Sequence, residues 1–271
     1  MTGPTTPAVA ERPLVDSHCH LDYLERDGDI APVVERARAA GVETLVTICT
    51  KLSEFDQIKA IAERFPEVYC SVGVHPHEAG KEGQKDSARL VELAAYEKVV
   101  GIGETGLDYY YEHSPREAQQ ASFRAHIAAS RETGLPLIVH ARDADDDTVA
   151  ILQEEYAAGA FPGVIHCFTA GPDLAKVALE IGFYISLAGI VTFKSAGALR
   201  DTVRAVPLER LLVETDSPYL APVPKRGKTN EPANVVYTAA ALAELHDMPA
   251  AALADTTTAN FFRLFSRARQ D

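Results

Sequence analysis

The feature that most constrains this chain is an alternation. Short apolar, β-branched segments recur at 14–16, 44–48, 68–74, 99–103, 135–139, 163–165, 183–187 and 211–214. Between them lie amphipathic stretches with helical spacing, among them 30–40, 55–64, 116–132, 147–157 and 174–181. Eight such alternations with parallel crossovers predict an α/β fold of the (β/α)8 TIM-barrel type, ahead of an open doubly wound sheet. A chain of 271 residues, 46% hydrophobic and 24% charged, has the core-forming residues for one such barrel. The expected organisation is therefore a flexible N-terminal tail at 1–12 and a single domain over 13–271. Ser114, Pro115 and Glu117 read as a capping box that opens one helix, and Gly134 with Pro136 as its end.

A barrel of this kind gathers its chemistry at the C-terminal ends of its strands. His18 and His20 follow the first strand segment, His75 and His77 the third, Glu104 the fourth, His140 the fifth, His166 the sixth and Asp216 the eighth. Six of the nine histidines thus occupy strand ends, which single hydrogen-bonded histidines would not do by coincidence; His113, His126 and His246 receive no role. In a strand, side chains i and i+2 share a face roughly 7 Å apart, so His18 and His20 can converge on one ion. Closure would set the eighth strand beside the first and bring Asp216 to that ion, while strands four to six gather Glu104, His140 and His166. Two divalent ions with Glu104 as bridging carboxylate follow. Mixed imidazole and carboxylate ligands accept zinc, manganese or cobalt, and magnesium can serve turnover.

Other patterns carry less. Gly101-Ile102-Gly103-Glu104-Thr105-Gly106 matches a dinucleotide fingerprint formally, but no helix follows and Glu104 would repel a pyrophosphate, so no dinucleotide cofactor is expected. Cys19, Cys49, Cys70 and Cys167 stand singly in apolar contexts and read as reduced, buried strand residues. No segment has the length and apolarity of a membrane span or signal peptide, which gives a cytoplasmic reading. A net charge of −13 argues against a broad basic nucleic-acid surface, so a polyanionic substrate would have to be held locally. Lys225, Arg226 and Lys228, after the eighth strand, form the densest basic cluster available for that, and His75, His77 and Arg142 are further candidates for phosphate contacts.

Taken in order, Asp-Ser-His-Cys-His-Leu-Asp at 16–22, Gly-Val-His-Pro-His at 73–77, Gly-Glu-Thr-Gly-Leu-Asp-Tyr-Tyr at 103–110 and His-Ala-Arg-Asp at 140–143 resemble the TatD family of metal-dependent deoxyribonucleases. His-Cys-Phe-Thr at 166–169, Glu-Thr-Asp-Ser-Pro-Tyr-Leu at 214–220, Arg-Gly-Lys-Thr-Asn-Glu-Pro at 226–232 and Asn260-Phe261-Phe262 continue the resemblance from about residue 14 to about 265. It implies an amidohydrolase-like barrel with His18, His20, Glu104 and Asp216 around one ion and Glu104, His140 and His166 around the second. Some members depart from the first His-x-His pair, which this chain keeps. Glu104 stands where many amidohydrolase-like relatives use a modified lysine, which disfavours a dihydroorotase-like reading. The implied activity is phosphodiester hydrolysis of DNA, as an exonuclease at single-stranded ends, with metal-activated water and Asp216 handling its proton. Hydrolysis of another ester, such as an aminoacyl-tRNA, or non-catalytic metal-dependent nucleic-acid binding are the alternatives. These motifs carry no oligomeric state.

Overall fold

The computed structural model describes residues 12–82 and 86–269. Its eight strands are β1 (Leu14–Cys19), β2 (Val42–Thr47), β3 (Val68–Val72), β4 (Val99–Asp108), β5 (Leu137–Arg142), β6 (Gly163–Ile165), β7 (Tyr184–Leu187) and β8 (Leu211–Val213). They follow one another in sequence order in one sheet. All six residues of β1 and all ten of β4 are buried, as expected for parallel strands covered on both faces. By internal contacts the chain divides into two compact units, Met1–Val46 with Ser186–Phe261 and Thr47–Ile185 with Phe262–Asp271. Residues 1–11 of the expected tail lie outside the described residues.

In the first unit, β1 runs alongside the segment that follows β8. Cys19 pairs in parallel with Ser217, the Asp216 amide donates to the His18 carbonyl at 2.9 Å, and the His20 amide donates to the Ser217 carbonyl at 2.8 Å. The first and last strands are thus neighbours. The Glu214 amide reaches the Leu187 carbonyl of β7 at 3.1 Å.

In the second unit β3, β4, β5 and β6 pair in parallel, and Ile165 pairs with Ile185 of β7. Helix Phe55–Arg64 buries Phe55, Ile58, Ile61 and Ala62, an apolar stripe at helical spacing. Helix Arg116–Thr133 buries Phe123, Ile127 and Ala129 together with the polar Gln119 and Ser130, and ends at Gly134 in the left-handed region, as anticipated. Each fully buried side chain such as Phe123 or Ile127 contributes about 1.5–3 kcal/mol.

Four expectations need correction. Ser114 does not cap helix Arg116–Thr133, whose N-cap is Pro115. Its hydroxyl instead donates to the His77 carbonyl at 2.7 Å and accepts from the Gly80 amide at 2.9 Å. The strand read as 99–103 continues to Asp108, with Gly103 taken up in a register shift between Ile102 and Thr105 and Gly106 paired beyond it. β3 ends at Val72, so His75 and His77 lie in the turn beyond it, where Pro76 has no amide to continue a ladder. Cys49 and Cys167 lie just past strands rather than in them, and Cys167 is half-buried; none of the four cysteines is in a disulfide.

Gly106 has φ 131°, and a Cβ there would run into the His140 carbonyl. Gly106→Ala is therefore expected to destabilise the protein by about 1–3 kcal/mol, read as a fall in Tm of several degrees. Gly134→Ala, at φ 71° with open space around it, should cost less, about 1 kcal/mol. Equal shifts for the two variants would refute the steric argument.

Candidate metal centre

Each unit brings part of the anticipated set together. In the first, His18 and His20 point to one side of β1 with ring centroids 5.1 Å apart, and both rings are almost wholly buried. Asp216 Oδ1 lies 3.4 Å from His20 Nε2 and 3.8 Å from His18 Nε2. The two backbone bonds that tie β1 to the post-β8 segment set this approach. Asp216 itself adopts φ 53°, a left-handed conformation that aspartate tolerates better than most residues. Asp16, at the head of the same motif, steadies the arrangement: its carboxylate accepts from the Thr215 amide at 2.8 Å and the Thr215 hydroxyl at 2.5 Å. Burial pushes the Asp16 carboxyl up to about 8, against the bonds from Thr215. Asn230, fully buried, donates to the Thr215 carbonyl at 3.0 Å and the Tyr219 carbonyl at 2.7 Å, so it pins the loop that carries Lys225, Arg226 and Lys228. Arg226 lies over the Phe193 ring at 3.9 Å and Lys225 near the Tyr237 ring at 5.7 Å.

In the second unit three imidazoles converge on one carboxylate oxygen. Glu104 Oε1 is 2.7 Å from His166 Nε2, 3.0 Å from His140 Nδ1 and 3.5 Å from His75 Nε2. Burial alone would raise the Glu104 carboxyl, but the charges of His166 and His75 and the bonds from His140 and His166 outweigh it and hold it well below the usual carboxylate range. Glu104 is thus a fixed anion surrounded by nitrogen donors, a set that suits a borderline divalent cation. His75, Glu104 and His140 present donor atoms within 4.8 Å of one another.

The histidines differ in their ring protons. His75 Nδ1 accepts from the His77 amide at 3.1 Å, so a neutral His75 carries its proton on Nε2, facing Glu104. That makes His75 a hydrogen-bond donor into the site. His126 accepts from the Val74 amide and faces the Ser122 carbonyl; burial lowers its pKa to about 4, and it is a structural residue.

Asp108 belongs to the site although its residue type alone gave no role. Its Oδ2 lies 2.9 Å from His77 Nε2 and 3.2 Å from His140 Nε2. His140 is therefore held at both nitrogens: burial pulls its pKa down, but the bonds to Asp108 and Glu104 raise it above the ordinary value. Bonds from His140, His77 and the Tyr111 amide likewise outweigh the effect of burial and keep Asp108 ionised. The sequence signal was present: Glu104, Gly106 and Asp108 share one face of β4. Asp108→Asn is expected to weaken metal binding about 10- to 100-fold, because His140, a candidate ligand, loses the anionic partner of its second nitrogen. Titration of the apo-protein with zinc would read this, and an unchanged affinity would deny Asp108 that role.

Arg142, expected at phosphate, ends β5 with its guanidinium over the Tyr110 and Tyr111 rings, 4.2 and 4.7 Å from their centroids. The glycine-rich run at 101–106 lies wholly within β4 and opens no helix. No described helix is long and apolar enough to cross a membrane.

Comparison with known proteins agrees with this architecture. A family model described as TatD related DNase matches residues 15–266. The chain is 48% identical to the metal-dependent hydrolase YcfH of Escherichia coli (strain K12), over 93% of this chain and 95% of that protein. It is 38% identical to a protein of Enterobacter lignolyticus (strain SCF1) named 3'-5' ssDNA/RNA exonuclease TatD, over 89% and 93% of the two chains. The crystal structure of YjjV, a TatD homologue from Escherichia coli K12, superposes with a TM-score of 0.85 at 27% identity, covering 95% of this chain and 99% of that one. With eight parallel strands in sequence order, the fold is a (β/α)8 TIM-type barrel. The chain belongs to the TatD related DNase family and is one of its metal-dependent hydrolases.

Proposed function

We propose that this protein hydrolyses phosphodiester bonds of DNA as an exonuclease at single-stranded ends. His18, His20, Glu104 and Asp216 would hold one divalent ion and Glu104, His140 and His166 a second. The observation that carries the reading is the convergence of His166, His140 and His75 on Glu104 Oε1, an anion held by nitrogens in a buried pocket of charge. The name of the Enterobacter relative, an exonuclease on single-stranded DNA and RNA, supports the substrate class. Bound divalent ions would supply Lewis acidity and bring a water's pKa toward neutrality.

The chain's own groups then have distinct tasks. Asp216, 14% exposed beside His18 and His20, accepts the proton of the attacking water. The Nε2 proton of His75 is available to a phosphate oxygen, and Asp108 holds His140 and His77 in orientation. Lys225, Arg226 and Lys228 offer local positive charge on a chain of net charge −13, so the substrate is held by a few contacts rather than a broad basic face.

The test is hydrolysis of end-labelled single-stranded DNA, duplex DNA, RNA and aminoacyl-tRNA with zinc, manganese, cobalt or magnesium, before and after chelation. Expected is shortening of single-stranded DNA that stops on metal removal and returns when the ion is restored. Cleavage of aminoacyl-tRNA alone would move the assignment to another ester, and binding of DNA without cleavage under every metal would leave a non-catalytic role.

A further inference from the structure

Beside the Glu104 cluster, the second unit carries an aromatic ledge that hydrolysis itself does not use. Tyr110 and Tyr111 are 57% and 49% exposed, although each ring is a large apolar surface that water covers poorly. Neither is loosely attached. The Tyr110 and Tyr111 amides donate to Asp108 Oδ1 at 3.1 and 2.9 Å, and the Tyr109 amide donates to the Arg142 carbonyl at 2.9 Å. The backbone is thus fixed on both sides of the ledge.

The rings are organised among themselves. Tyr110 and Tyr111 meet edge to face at 4.8 Å, and the Arg142 guanidinium covers both. Tyr111 is engaged further, stacked on His113 at 5.4 Å and 5° and edge-on to His77 at 5.5 Å. Tyr110, the more exposed of the pair, keeps ring surface for another planar group. Tyr109, by contrast, is occupied: its hydroxyl donates to Asp147 at 2.7 Å and Arg116 sits 4.0 Å from its ring centre.

The ledge is joined to the hydrolytic cluster by one carboxylate. Asp108 accepts the two tyrosine amides on Oδ1 and faces His77 and His140 with Oδ2, and His140 is 3.0 Å from Glu104. A molecule engaging both regions must carry a flat π-system next to a phosphate. A nucleotide is such a molecule: its base stacks on an aromatic face whatever its sequence, while an arginine already packed on that face keeps its N–H edge for a phosphate oxygen.

We propose that Tyr110, backed by Tyr111 and Arg142, is a stacking subsite for the nucleobase of the nucleotide flanking the cleaved phosphodiester. This rests on the nucleic-acid reading above and adds to it a requirement for a base, of any identity, at that position. Arg142 acts there first as part of the stack.

The experiment compares an oligothymidylate with the same strand carrying a tetrahydrofuran abasic residue at one or the other terminus, using the full-length metal-loaded protein. The native enzyme is expected to show a KM about tenfold higher on one of the abasic strands. Tyr110→Ala should raise KM on the normal strand by a similar factor, leave kcat within about twofold, and show no further loss on the abasic strand. Tyr110→Phe, which keeps the ring, should keep the discrimination. A Tyr110→Ala variant with native KM, or one that loses equally on both strands, would overturn the subsite. If no strand is cleaved under any metal, the hydrolytic reading fails separately, and fluorescence anisotropy of the labelled strands in chelator decides the subsite. Weaker binding by Tyr110→Ala on base-bearing strands only supports it, and indifference to the base refutes it.

Discussion

Replacing Glu104 with Gln is expected to lower hydrolysis at least about a thousandfold, equivalent to roughly 4 kcal/mol at the transition state. The substitution keeps the volume of a side chain that is 2% exposed, so the fold should survive, with an unchanged circular dichroism spectrum. What it removes is the charge. Glu104 Oε1 lies 2.7 to 3.5 Å from three imidazole nitrogens, and its carboxyl is held well below the usual range, so the anion is present throughout the working pH. A neutral amide offers one oxygen fewer and turns a donor N–H₂ toward nitrogens that need an acceptor or a cation. Metal content of the purified variant, measured by mass spectrometry, should fall together with activity. Full metal occupancy and activity within tenfold of native would remove Glu104 from the centre.

Asp216→Asn should lower kcat about 10²- to 10⁴-fold, the range of a lost general base. Asparagine tolerates the left-handed conformation found here, φ 53°, and the backbone bond from residue 216 to the His18 carbonyl does not depend on the side chain. The variant therefore isolates the carboxylate, 3.4 Å from His20 and 3.8 Å from His18. The measurement is kcat at saturating metal. If excess metal restored native kcat, Asp216 would serve only to hold an ion.

Much of this was legible in the sequence. The strand and helix periods are local properties, and the structure follows them to within a few residues except where β4 runs five residues past its expected end. That exception mattered. Ending the strand segment at Gly103 left Asp108 without a role, whereas a glycine at φ 131° allowed β4 to continue against β5 and deliver Asp108 to His140. Ser114 shows the opposite failure. Its local pattern was that of a helix cap, but its hydroxyl found the His77 turn, a partner distant in sequence.

The sequence by itself determined the barrel and its family, and with them which residue types stand at the strand ends. Those follow from the two-residue period of the pleat, from hydrophobic alternation and from motifs that are contiguous in the chain. Only the tertiary structure decided which of these groups face one another. It joined His77 and His140 through Asp108 and laid the exposed Arg142 against two tyrosine rings. Hydrogen-bond partners and stacking faces are set by strand register and loop paths between segments far apart in sequence, and no local period encodes them.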